Sequence, residues 1–450
     1  MANIKIVIVG GGSWTFTPGL VTNIMRSPYL EGCHVVLHDI DPDALDLSYR
    51  LTTLYKERAE STTTFAKTLD QAEALDGADY VLVTISTGGL ETMEPDITIP
   101  EKYGIIQPVG DTVGPGGLSR ALRSVPVFLR IGRAMEERCP DAWMLNLSNP
   151  LSALTRVVNK ETSIRALGLC IGVWESARGY ARFFDVPFNE ISFVNTGIDH
   201  ISWFTEVVVE GRPAYYRLHD MGIDDWLAKP PDQARTDPTF GDLYDFRVGL
   251  MVGRQIGALP AIGDRHLAEA LPTFLQNRAN FEASGIHRTT IADRRKRLAE
   301  RRANAERMVA GQLELDLGTA VDVLGTHQSN DVAGWITALE GAGTFHDNVN
   351  GPNIGQIPEL PLGAVVETRA VLDGTGFRPL VSPMPREIEA MVRPQVLRQE
   401  LTVEAAIEGS FDKALAVLVG DPLVADPRIA RPMLEELIEA NRRWLPQFDS

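Results

Sequence analysis

Cysteine is nearly absent: Cys33, Cys139 and Cys170 are the three thiols in 450 residues. So sparse and odd a set excludes a disulfide framework and suits a reducing cytoplasm. No stretch approaches the roughly 18 uninterrupted apolar residues of a membrane span. The opening MANIKIVIVGGG lacks the basic region, long apolar stretch and small-residue cleavage site of an export signal. Positive charge is also short. Lys and Arg number 43 against 60 Asp and Glu, a formal net charge of −17. That excludes a general nucleic-acid or anionic-membrane surface, but leaves room for a local basic pocket and an anionic small molecule. No Gly/Ser linker, repeat, CxxC pair, Walker loop or Ser-His-Asp arrangement stands out. What is present is an ordinary globular balance, 44% hydrophobic and 23% charged. A chain of this length can bury a large core in about two to three domains.

The first half alternates strand and helix signals. Residues 4–9 (IKIVIV) form a short apolar run that ends in glycines, as a buried parallel strand does. Thr17 and Pro18 then open a helix, Thr as N-cap and Pro at its first position. Residues 34–37 read as a second strand, and Asp41-Pro42 caps a helix to about Ala59. Residues 80–85 (YVLVTI) read as a third strand. A long helix fits residues 118–138, strands fit 143–147 and 165–170, and another helix lies near 174–184. This order predicts a Rossmann-like, doubly wound parallel sheet over residues 1–190. Residues 191–450 read as an α+β, helix-rich substrate and oligomerisation domain. Its strand-like ISFVNTG and WFTEVVVEG flank His200, and long helical stretches cover 294–307 and 402–444. The basic run at 294–307 reads as a solvated helix face. A cleft between the two parts is the expected ligand site.

Gly10, Gly11, Gly12 and Ser13 follow the first strand and precede a helix. Glycines there let the backbone approach a pyrophosphate, which the helix N-terminus attracts. Thr15 holds the place of the usual third glycine. Asp39 ends the second strand, where a carboxylate binds ribose hydroxyls and repels a 2′-phosphate, favouring NAD over NADP. The alternative is a tight turn beside a helix-capping Asp.

Residues 110–117 (GDTVGPGG) make a second glycine-rich loop before a long helix. Asp111 in it is either a turn residue or a general acid over the cleft. Asn149, in NLSNP at the end of a strand, is either a sugar ligand or an Asn-Pro turn. Cys170 and His200 lie thirty residues apart. They could share a divalent cation, although the spacing alone reads as a buried Cys and a packed His. Asp264, Arg265, His266 and Glu269 crowd ionisable groups into one short segment. It is either an exposed helix start or a site for an anion with a carboxylate nearby.

Taken together, these pieces resemble glycoside hydrolase family 4, the NAD-dependent glycosidases. The resemblance runs in order along nearly the whole chain: IVIVGGGS, LHDID, STGG, VGDTVGPGG with ALRSVPV, CPDAWMLNLSNP, GLC, Asp199-His200, GDRHLAE and NGPNIGQIPELPLGAVVE. STGG, VGDTVGPGG and GDRHLAE look like the branch acting on uronic-acid glycosides, with the NAD-dependent sulfoquinovosidases a second possibility.

The resemblance implies a redox route to hydrolysis, outside the two-carboxylate scheme. NAD removes hydride from C3 of the sugar, a base takes the C2 proton, and the leaving group departs from C1 with acid assistance. Water then adds and the hydride returns. Carried over by motif, Gly10, Gly11, Gly12, Ser13 and Asp39 hold NAD, and Asn149 binds sugar hydroxyls. Cys170 and His200 hold Mn2+. Asp111 is the leaving-group acid and Asp264 the C2 base, while Arg265 and His266 clamp a carboxylate or sulfonate. The uronidase-like branch commonly has His directly after the metal-binding Cys, where this chain has Ile171. That departure makes a sulfosugar a credible substrate. Other readings are a neutral α-glucosidase or α-galactosidase of the same family, and a simple sugar or hydroxy-acid dehydrogenase. A dimer or tetramer is also implied.

Overall fold

The computed structural model describes residues 4–314 and 331–448. Among these residues thirteen strands run in chain order: β1 (Lys5–Val9), β2 (His34–His38), β3 (Thr64–Thr68), β4 (Tyr80–Val83), β5 (Trp143–Asn146), β6 (Arg165–Gly168), β7 (Ile191–Ile198), β8 (Ile201–Val209), β9 (Arg212–Pro213), β10 (Leu259–Pro260), β11 (Phe345–Pro352), β12 (Val365–Asp373) and β13 (Gly376–Pro379). Nine of them form one sheet in the order β13-β12-β11-β6-β5-β4-β1-β2-β3. Strands β1 to β6 pair in parallel, and β11, β12 and β13 continue the sheet antiparallel from β6.

Alternation along β1 explains the double winding. Ile6 and Ile8 point into a core with Leu20, Val35, Leu37, Leu51 and Trp335 on one face. Val7 and Val9 point into a second core on the other face, with Val81, Val83, Phe128 and Met144. A strand buried on both sides reads as continuous β-branched sequence, as IKIVIV does. The chain winds from β1 outward to β3, then crosses to β4 and winds the other way. Strands β1 and β4 therefore flank the switch point, where ligands bind beyond the carboxyl ends. Gly10–Ser13, the STGG segment, Asn149 and Cys170 all leave carboxyl ends of these parallel strands.

In the first half three elements differ from expectation. Edge strand β3 gives little apolar signal, since TFAKT has no fully buried residue; Tyr80–Val83 is thus the fourth strand. Thr17 is not a cap: the helix Thr17–Arg26 has Phe16 at its N-cap position, and Thr17 turns its hydroxyl back to Gly11 O at 3.1 Å. The long helix is Gly114–Arg138, so the second glycine cluster forms its first turn. Those glycines serve close packing: a Cβ on Gly116 would meet Asp96 O and Gly110 O at 2.9 Å.

A smaller sheet holds β10, β8 and β7, with β9 paired to β8. It is tied to the large one by Asn195 Nδ2, which donates to Glu367 O at 3.2 Å. The helical stretch at 402–444 is broken into Arg386–Glu408, Phe411–Val419 and Ala430–Asn441. Their Val403, Leu418, Leu434 and Leu437 join Val7 and Val83 in one core, so the C-terminal helices cover a face of the nucleotide-fold sheet. Among the described residues no helix is long and apolar enough to cross a membrane.

Candidate active site

Gly10 leaves β1 at φ +93° and sits against Thr84 O at the end of β4, where a Cβ would collide. Both Gly10 and Gly11 donate their N–H to His38 O at 2.9 Å. Asp39 closes the loop: Oδ2 accepts from Gly12 N–H at 2.9 Å and Oδ1 from Asp41 N–H at 3.0 Å. A Cβ on Gly12 would stand 2.8 Å from Asp39 Oδ2. The structure thus brings Gly10, Gly11, Gly12, Ser13 and Asp39 into one cradle. Next to it, Arg301 Nη1 donates to Thr15 Oγ1 at 2.7 Å, so a cation stands beside the place of the missing glycine.

A second group gathers on Asp111. Glu269 fixes its loop by accepting N–H from Val109 (2.7 Å) and Gly110 (2.9 Å). Burial pushes the Glu269 carboxyl up to about 8 against those bonds. Thr112 Oγ1 donates to Asp111 Oδ1 at 2.9 Å and lies 2.7 Å from His200 Nδ1. The hydroxyl has one hydrogen and aims it at Asp111, so Nδ1 of His200 is the donor in that pair. Burial works to raise the Asp111 carboxyl, but His200, His266 and Arg120 outweigh it and carry it down to about 2. The His266 ring lies tilted at 36° to His200, 3.9 Å between centroids. Burial, then the His200 neighbour, lowers His266 to about 3.

His200 reaches this point because it and Asp199 are the only residues joining β7 to β8, with His200 in the left-handed region at φ +64°. Opposite, Cys170 follows the carboxyl end of β6 and its Sγ accepts Gly172 N–H at 3.3 Å. Burial pushes the Cys170 thiol up, and Asp199 and Glu367 push the same way. Two ligand-like triads share His200: Cys170 with Asp199, and Asp111 with His266, the ligand atoms of each triad within 4.8 Å of one another. Asp199 is fully buried with neither carboxylate oxygen hydrogen-bonded. Burial raises that carboxyl, and its Oδ2 stands 3.6 Å from His200 Nδ1; a carboxyl between a thiol and an imidazole is a donor set that a divalent cation satisfies.

The remaining expected residues divide. Asn149, half-buried, accepts Leu151 N–H at 3.3 Å on Oδ1, and its carbonyl takes Arg120 Nε–H at 2.9 Å. Arg265 flanks the Asp111 group, and its Nε is buried without a partner. Asp264 stands apart. Its two oxygens accept the N–H groups of Val248 (2.7 Å) and Gly249 (2.8 Å), capping the helix Arg247–Ile256. Burial lifts it to about 8 against those two bonds. Sequence reasoning missed Asp199, Thr112 and Arg120 as members of the site. Asp199 had a signal in its position next to His200; Thr112 and Arg120 had only their proximity to Asp111.

Comparison with known proteins agrees with this geometry. Residues 5–183 match the model of family 4 glycosyl hydrolases, and residues 195–424 match that of the family 4 glycosyl hydrolase C-terminal domain. The chain is 32% identical to an alpha-galacturonidase of Thermoanaerobacterium saccharolyticum, over 98% of this chain and 97% of that one. It is 33% identical to an alpha-galacturonidase of Bacillus subtilis, over 94% and 93%. The 6-phospho-beta glucosidase of Thermotoga maritima, solved with manganese, NAD+ and glucose-6-phosphate, has the same fold: TM-score 0.80 at 23% identity, covering 98% of this chain and 99% of that one. With both halves matched in order, the chain belongs to glycosyl hydrolase family 4 and is a glycosidase.

Proposed function

We propose that this enzyme hydrolyses α-galacturonides, using NAD+ held by the Gly10–Ser13 cradle and Asp39, and a divalent cation, Mn2+, held by Cys170, Asp199 and His200. The observation that carries this reading is the convergence of two triads on His200, one of which includes Cys170, which leaves the carboxyl end of β6 in the same parallel sheet whose β1 carries the glycine cradle. The galacturonide follows from the relatives' activities and from the surplus of arginines around Asp111. When bound, NAD+ supplies a reversible hydride acceptor at the sugar C3, and the cation supplies Lewis acidity at the C2 and C3 oxygens.

The chain's own residues do the rest. A carbonyl at C3 makes the C2–H acidic enough for a positioned base. Asp264 has both oxygens engaged by backbone N–H groups, so its geometry supports a capping role better than that base. His266, whose ring lies tilted against His200, is the remaining side chain of the cluster that can take that proton. Asp111 is the acid for the departing oxygen at C1. It is ionised at about 2 in the free site, so it must take up a proton first. An acidic sugar drives that uptake by neutralising nearby cations, which raises a carboxyl pKa. Asn149 binds hydroxyls, and Arg265 takes the acidic group.

The test is aglycone release from nitrophenyl α-galacturonide, α-glucuronide, α-sulfoquinovoside, α-galactoside and α-glucoside. Nucleotide-stripped enzyme is assayed with Mn2+, and with NAD+ added or withheld. NAD-dependent release from the galacturonide, with no accumulation of NADH, is expected. Preference for the sulfoquinovoside would move the substrate to the sulfosugar that Ile171 admits. Stoichiometric NADH without aglycone release would make the enzyme a dehydrogenase instead.

A further inference from the structure

The basic run at 294–307 is not uniformly solvated. It lies on the helix Ile291–Val309, whose Arg295 pairs with Glu94 and whose Arg302 pairs with Glu306 at 2.9 Å, both outward. Arg294 turns the other way. Its Nη2 donates to Val109 O at 3.4 Å, two residues from Asp111, and its Nε is buried with no hydrogen-bond partner. Arg265 Nε is buried and partnerless in the same way. Arg120 is engaged through Nε by the Asn149 carbonyl, and Arg297 through Nε by the carbonyl of Asp293 at 3.4 Å. Arg294, Arg265 and Arg120, like the exposed Arg297, form no ion pair with a carboxylate among the described residues, whereas Arg295 and Arg302 of the same helix do. Burial lowers Arg294, Asp111 opposes, and Arg265, Arg120 and Arg297 lower it further, so several guanidinium groups share the neighbourhood of Asp111. Buried cations left without counter-charge are costly, and a bound anion removes that cost.

We propose that Arg294, with Arg265, binds the acidic group of the glycoside, so that selection of an acidic over a neutral sugar rests on the helix Ile291–Val309. The planar guanidinium matches a carboxylate through two parallel N–H bonds and serves a sulfonate by the same donors. The inference deepens the proposed function and rests on it.

The test compares the full-length enzyme with Arg294→Gln, Arg294→Lys and Arg265→Gln, all loaded with NAD+ and Mn2+. Readouts are kcat/KM for nitrophenyl α-galacturonide, α-sulfoquinovoside and α-galactoside, and calorimetric Kd values for free galacturonate and for NAD+. Arg294→Gln is expected to lower galacturonide kcat/KM by about 10–100-fold, the loss of one charge-assisted pair. The galactoside value falls much less, galacturonate affinity falls with kcat/KM, and Arg294→Lys recovers part of the loss. A larger loss on the sulfoquinovoside than on the galacturonide supports the same anion site with a sulfonate as its occupant. Equal losses on acidic and neutral sugars, or a loss of NAD+ affinity with the acidic-to-neutral ratio unchanged, would overturn the inference. If Arg294→Gln does not fold, the same ratio measured in Arg294→Lys and Arg265→Gln decides. Failure of the wild type on every acidic glycoside would sink the proposed function instead, and is read separately from the variant ratios.

Discussion

At Cys170 the surroundings and the proposed role pull in opposite directions. Burial, Asp199 and Glu367 all favour the neutral thiol, whereas a metal ligand must be a thiolate. A divalent cation reverses that balance, because its own charge becomes the largest in the site. Cys170→Ala and His200→Ala should each weaken Mn2+ binding by at least about 10–100-fold, the range produced even by outer-shell changes. NAD+ affinity should stay close to wild type. Mn2+ titration by electron paramagnetic resonance checks this, and unchanged binding in both variants would remove the metal from these residues. In the cradle, Gly12→Ala sets a methyl against Asp39 Oδ2 at 2.8 Å. Overpacking of that kind costs about 1–3 kcal/mol, so NAD+ affinity should fall about tenfold or more while Mn2+ binding persists. The cradle was legible in the sequence, since glycines after an apolar run and a following acidic strand end are local signals. Cys170 and His200 were legible only through the ordered run of motifs. Nothing in a spacing of thirty residues tells that β6 and a hairpin turn face each other.

Asp264 shows how an element can claim a residue. GDRHLAE crowds charge in sequence, which suggests chemistry, yet in space its Asp caps the preceding helix, Arg247–Ile256. The unfolded carboxyl titrates near 4 and the folded one at about 8. The folded state therefore holds the extra proton. This group's stability contribution is complete below about pH 4 and is lost as pH rises through about 8. Melting temperatures measured from pH 5 to 9 should fall more steeply in wild type than in Asp264→Asn. The variant should also retain the bulk of its glycosidase activity; abolished turnover with an unchanged melting curve would return Asp264 to the C2 base. The helix Ile291–Val309 carries the complementary lesson. Its charge run reads as solvated because most of it is, and which edge turns inward is decided by the elements it packs on, not by its own periodicity.

Over the whole molecule, the parallel half was legible because each buried strand is a short apolar run at the right interval. The other half was not, for two physical reasons. Strands β11 to β13 return from far along the chain to extend the sheet at β6, a long-range pairing that carries no local signature. The helices Arg386–Glu408, Phe411–Val419 and Ala430–Asn441 bury their apolar stripes against the β1–β4 side of the same sheet. The two halves thus share one sheet and one core, and calorimetry should record a single unfolding transition. Leu434→Ala, far from the cradle in sequence, should lower that transition by an amount equivalent to about 2–5 kcal/mol. Two resolved transitions, with only the later one moved, would mean that the halves unfold independently.

The most direct test of the redox route is the fate of the C2 hydrogen. The enzyme, loaded with NAD+ and Mn2+, cleaves nitrophenyl α-galacturonide in D2O, and the released galacturonate is read by NMR. The account predicts deuterium at C2, dependence on NAD+ and no net NADH. Release that keeps the C2 hydrogen and proceeds equally without NAD+ would contradict it.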